Sequence, residues 1–182
     1  MANKTNFFGF KPVQEDERKR PYPIDTNSSS ALYAGDVAKA LAAGTVDLAA
    51  AGDGLAVIGI FAGFSYIDPA QPFPVFSDYM PATKTGFTNM VAYVYDDPET
   101  VFEVRSDSTG IASTDVFATF NHVAGAGDST RKLSGQYLDH TTGNAQFEVI
   151  GKVETPDNDW GAYCKVRVLF NEHKRKAAVA GI

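Results

Sequence analysis

The sequence predicts a mainly-β protein: a single compact β domain, barrel- or sandwich-like, with one short helix and an extended N-terminal arm. Three observations predict it. Asn89 to Val104 holds two β-branched and aromatic runs around Asp96-Asp97-Pro98-Glu99. That is a hairpin pattern, in which proline presets φ and the aspartates bond nearby backbone. Alternating apolar runs recur at Ala145–Ile150 and Tyr163–Phe170, the period of half-buried strands. Residues 1–30 differ: Pro12, Pro21, Pro23, a charge run from Glu15 to Arg20 and Ser28-Ser29-Ser30 oppose a packed helix or central strand.

Residues 1–30 therefore read as an arm, and 31–182 as the domain. The arm opens with Phe7, Phe8 and Phe10, whose apolar surface is costly to leave uncovered on a flexible segment. From Ala31 the pattern turns to β. Asp36–Leu41 and Thr45–Leu48 flank Gly44, and Asp53-Gly54 marks a turn. Leu55–Ile67 is a long apolar strand in which Gly59 and Gly63 mark bulges or close backbone approach. Pro69, Pro72, Pro74 and Pro81 make the next stretch loop or edge structure. Ser113–Asn121 reads as the one short helix, with Ser113 at its N-cap, Asp115 in its first turn, and Val116 and Phe120 on one face. Gly125–Thr130 is loop and Ser134–Leu138 a strand. Glu172–Ala180 has helix-forming, basic residues but is too short to be stable alone.

The chain has 182 residues, and chains near this size bury roughly 70% of their unfolded surface, so no covalent staple is needed. A net charge of −6 argues against non-specific nucleic-acid binding, which needs basic surface to release counterions. Cys164 is the only cysteine, which excludes an intrachain disulfide and reads as a buried strand residue. No window reaches the ~18 apolar residues of a membrane helix and no apolar leader opens the chain, so the expected place of synthesis and assembly is a cytoplasm.

Catalytic patterns are sparse. Gly52-Asp53-Gly54 completes no dinucleotide fingerprint, and Gly63-Phe64-Ser65 lacks the second glycine of a nucleophile elbow. His122, His140 and His173 have no partner at metal-ligand spacing. Asp96-Asp97-Pro98-Glu99 and Asp157-Asn158-Asp159 read as turns rather than ion sites, because such side chains bond their own backbone. The expectation is no enzyme, no cofactor and no metal. Trp160, the sole tryptophan, reads equally as a core plug or an interface anchor.

Several segments carry a resemblance: Ser30–Lys39, Val57–Tyr66, Val94–Val104 with its Asp-Asp-Pro, Ser134–Asp139, and Gly151–Gly161 with its Pro-Asp-Asn, running into Asn171-Glu172-His173. Their order and spacing resemble the tailed-bacteriophage head decoration or cement proteins. Phe7-Phe8-Gly9-Phe10-Lys11-Pro12-Val13 is also similar to that family's start, while the charged stretch Gln14–Arg20 departs from it. The resemblance implies a structural virion protein on the capsid surface that binds the major capsid protein. It also implies self-association, as a homotrimer or a dimer. Phe7, Phe8, Phe10 and Tyr22 are the expected capsid contacts. The competing expectation is an exterior virion module that adheres to host or carbohydrate.

Overall fold

A computed structural model describes residues 3–14, 18–71, 73–140 and 146–176. Along them run β1 (Lys11–Pro12), β2 (Lys19–Pro23), β3 (Leu32–Tyr33), β4 (Val37–Ala40), β5 (Val46–Leu48), β6 (Val57–Ile67) and β7 (Pro74–Ser77). Then come β8 (Tyr79–Met80), β9 (Thr88–Tyr95), β10 (Phe102–Arg105), β11 (Thr119–Val123), β12 (Tyr137–Asp139), β13 (Phe147–Lys152) and β14 (Lys165–Phe170). The fold is mainly β, with sandwich-like sheets. One sheet has the order β1-β10-β14-β13-β11-β12; the other has β2-β9-β6-β4-β5, with β7 beside β6; β3 and β8 pair separately.

The alternation of β14 explains its place. Val166, Val168 and Phe170 point inward, and Lys165, Arg167 and Leu169 do not. The inward residues of the first sheet meet Val37, Val57 and Ile60 of the second, which forms one core between the sheets. A second core lies on the other side of the second sheet, where Ile58, Phe61, Phe64 and Val94 are covered by Ile24, Leu32 and Met80. Because β6 is buried on both faces, its sequence is continuously apolar rather than alternating. Gly59 is obligatory there: a Cβ would strike the Tyr95 carbonyl of the neighbouring strand. The ladder between β6 and β9 slips at Phe61/Gly63, so both expected glycine roles occur in one strand.

Three expectations are corrected. The first is the hairpin. The turn exists, with Thr100 N–H donating to Asp97 O (3.2 Å) and Glu99 N–H to Asp97 Oδ1 (2.9 Å). Its two strands do not pair with each other, however. β9 lies between β2 and β6, and β10 between β1 and β14, so the segment crosses from one sheet to the other. Asp96 fixes this corner. Its buried carboxylate accepts from Tyr22 Oη (2.5 Å) and Arg175 (2.6 Å), with Arg20 at 3.4 Å. The network ties the C-terminal segment to the corner and to β2, and its charge-assisted bonds are stronger than neutral ones.

The second correction concerns the helix. Only Ser113–Asp115 winds, as a single 3₁₀ turn, with Ala112 rather than Ser113 at its N-cap. Phe117 then adopts φ 71°, which ends any helix, and Thr119–Val123 continues as a strand between β12 and β13. The i, i+4 spacing of Val116 and Phe120 fits a helix, but Val116 lies in the turn and only Phe120 enters the strand, where Thr119, Phe120 and Val123 are β-branched or aromatic.

The third correction concerns the arm. The division at residue 30 does not appear in the packing. β1 pairs β10, β2 pairs β9 as an edge strand that tolerates its prolines, and Phe10 is 1% exposed in the inter-sheet core. Of the charge run, residues 15–17 lie outside the described residues. So does the tail beyond residue 176 of the expected Glu172–Ala180 helix. Its described part makes a turn in which Lys176 N–H donates to His173 O (3.0 Å).

Candidate functional site

The expected contact residues lie mostly inside the fold. Phe10 stacks on Phe147 at 4.4 Å between ring centroids and meets His122 edge-on. It has no surface to offer a capsid, so that expectation is overturned by its burial. Gly9 makes the approach possible. It has φ 72°, and a Cβ there would lie 2.5 Å from Ser134 Cβ and Oγ. Phe7 is half-buried, stacked on Tyr137 at 4.4 Å. Phe8 is half-buried beside the Arg105 guanidinium, which donates to the carbonyls of Lys4 and Tyr163. Tyr22 serves the Asp96 corner. Trp160 is half-buried and packs on the inter-sheet core, nearer the plug than the anchor.

Several buried polar groups hold backbone or one another. Asp36 accepts from Ser134 Oγ (2.6 Å) and from the Tyr33 N–H (2.8 Å). Burial pushes its carboxyl up to about 6, which those two bonds only partly offset. His173 donates from Nε2 to the Ile58 carbonyl (2.8 Å) and accepts the Arg175 N–H on Nδ1 (3.2 Å), so the neutral ring is saturated. His122 donates from Nδ1 to Gln146 Oε1 (2.7 Å). Burial lowers the pKa of both rings. Asn158 of the acidic cluster holds the carbonyls of Val153 and Lys165 and accepts the Lys165 N–H, as a turn residue does. Among the described residues, no group of three or more His, Cys, Asp or Glu side chains is placed to share a metal ion.

What remains available is apolar surface. Phe117 is 55% exposed at a left-handed backbone position, an expensive conformation for an aromatic residue. The turn beneath it is braced. Phe117 N–H donates to Val149 O (2.7 Å), and Asp115 Oδ2 accepts both the Ala112 N–H (2.7 Å) and His140 Nε2 (3.2 Å). The His140 ring in turn stacks on Phe120. This His–carboxylate pair was not legible in the sequence, because its members are 25 residues apart and meet only once β11 and β12 have paired.

A second apolar surface follows β7, where Phe73 is 74% and Phe76 71% exposed. Among the described residues β7 pairs only with β6, so its other edge is open. Phe76 and Tyr93 wall a hollow of about 270 Å³ over Gly63, with Lys19 and Asp78 at its rim. A more apolar hollow of about 240 Å³, lined by Phe8, Pro12, Tyr95 and Leu133 with Lys11, lies beside it, and Ala62 borders both.

The chain matches no protein-family model, no curated protein and no solved structure.

Proposed function

We propose that this protein is a non-enzymatic component of a tailed-phage virion. It binds the outer surface of the assembled capsid and cements neighbouring major capsid subunits. Phe117 carries the reading: a large apolar side chain is held out of the core by a braced turn in a strained conformation. A ring buried in the domain would relieve both costs, so its retention outside favours a partner that covers it. Burying a phenylalanine ring contributes about 1.5–3 kcal/mol per copy. A partner that binds the assembled shell and not free subunits adds that energy to the stability of the shell by mass action. Symmetric copies multiply it. The resemblance of the Asp-Asp-Pro and Pro-Asp-Asn segments to the cement proteins supports the same reading.

The test is binding to empty expanded shells assembled from the major capsid protein of the same phage. The expected result is saturable decoration by wild-type protein and at least a ~10-fold loss for Phe117→Ser, the equivalent of about 1.4 kcal/mol. Equal decoration by the two proteins at every concentration removes Phe117 from the contact. Absence of wild-type binding to shells overturns the function itself.

A further inference from the structure

We infer that the β7 surface joins two copies of this chain across a two-fold axis, independently of any shell. A knob and a hole lie side by side on it. The knob is Phe76, 71% exposed on a strand with an open edge. The hole is the apolar hollow of about 240 Å³ between Phe8, Pro12, Tyr95 and Leu133, roomy enough for a phenyl ring. Ala62 borders both the hollow beside Phe76 and this one, so they are neighbours on one face.

Adjacent knob and hole suit a second copy. In an isologous contact, residue i of one copy meets residue j of the other, and j meets i. A two-fold axis passing near Ala62 places Phe76 of each copy in the hollow of the other and fills both at once.

The charges agree with this operation. Asp78 lies at the knob's rim, beside Lys19, whose ammonium is held over the Tyr95 ring, and Lys11 lies at the hole's rim. Neither Asp78 nor Lys11 has an ion-pair partner among the described residues. The same axis that seats Phe76 brings Asp78 of one copy toward Lys11 of the other, twice. Opposite charges at an interface rim fix register and exclude other pairings. A capsid subunit would need its own knob, hole and charge pair in matching places; a second copy has them already.

Sedimentation equilibrium of the purified chain, from about 1 to 200 μM, tests this without shells. The expected result is a monomer–dimer equilibrium in that range. Phe76→Ser is expected to be monomeric throughout, and, because the ring is exposed, to melt as wild type does at dilutions where wild type is itself monomeric. Lys11→Glu alone and Asp78→Lys alone are each expected to weaken the dimer at least ~10-fold. The double variant carrying both is expected to regain it, because reversed charges again oppose each other. A wild-type monomer at all concentrations overturns the proposal, as does a trimer, which has no two-fold contact of this kind. Failure of the double variant to recover overturns the assigned register. None of these outcomes bears on Phe117, whose test is run on shells.

Discussion

Replacing Phe10 by alanine tests whether the N-terminal residues belong to the fold. Phe10 is 1% exposed, stacks on Phe147 at 4.4 Å, and meets His122 edge-on at 6.5 Å. Losing the whole ring removes about 1.5–3 kcal/mol of apolar burial. The hole it leaves cannot collapse freely. Gly9 on one side is wedged against Ser134, and Phe10 N–H is tied to Gly35 O at 2.8 Å. Unrelaxed cavities of this kind bring Phe→Ala costs to about 3–5 kcal/mol. At about 2–4 °C per kcal/mol for a chain of this size, the melting temperature is expected to fall by roughly 6–20 °C. The assay is urea unfolding followed by tryptophan fluorescence, reported by Trp160, with thermal melts alongside. Phe7→Ala, at a half-buried stack, is the internal comparison and is expected to cost clearly less. A loss under about 1 kcal/mol for Phe10→Ala would refute the packing described above and restore a free arm.

Four further outcomes are expected. In the folded chain Asp36 holds its proton up to about pH 6 against 3.8 ordinarily, so its contribution to stability is largest in acid and is lost as pH rises between those values. Relative to Asp36→Asn, wild type is therefore expected to lose up to about 3 kcal/mol from pH 4 to pH 7, read by urea unfolding at each pH; a constant difference refutes it. His122 and His173, with lowered pKa values, act in the opposite sense. Their stabilising neutral state is fully present above about pH 6.5 and is lost as pH falls, so His173→Gln is expected to shrink the acid-side loss, measured by the same titration. Asp96→Ala removes the acceptor shared by Tyr22, Arg20 and Arg175, at an expected cost of about 1.5–3 kcal/mol in chemical denaturation. Burial pushes the Cys164 thiol up to about 11, so it is expected to resist a disulfide reagent at pH 8 in the native protein and to react at once in 6 M guanidinium, measured by released chromophore.

How far the sequence reaches can be seen element by element. The alternation of β14, the turn before β5 and the continuous apolar run of β6 are local signals, and each strand lies where its pattern places it. Val101 and Phe102 alternate too, the former half-buried and the latter fully buried. Partner choice was not legible. Asp97-Pro98 makes the same turn whether the flanking strands pair or part, and what separates them is Asp96 bound to Arg175, 79 residues away. Phe10 looked exposed for the same reason. Its charged, proline-bearing neighbourhood reads as a tail, and the pairing that buries it, Lys11 with Glu103 and Pro12 with Phe102, is entirely non-local. The exposed aromatics behaved in the reverse way. Phe73, Phe76 and Phe117 carry no pattern that separates them from core phenylalanines until the free edge of β7 and the left-handed turn at Phe117 are seen.

The corner pinned by Arg175 also governs how the chain is born. β1 finds no neighbour until β10 has been made, β10 stays half-paired until β14 follows, and the buried carboxylate of Asp96 waits for residue 175. A nascent chain emerging in order therefore carries its first strands and several phenylalanines uncovered through most of synthesis. Closing such distant pairings late makes folding slow, in the regime of non-local β topologies. During that interval the unpaired edges invite association between neighbouring chains. Raising the expression rate is thus expected to lower the yield of soluble protein well before it strains the stability of the finished fold.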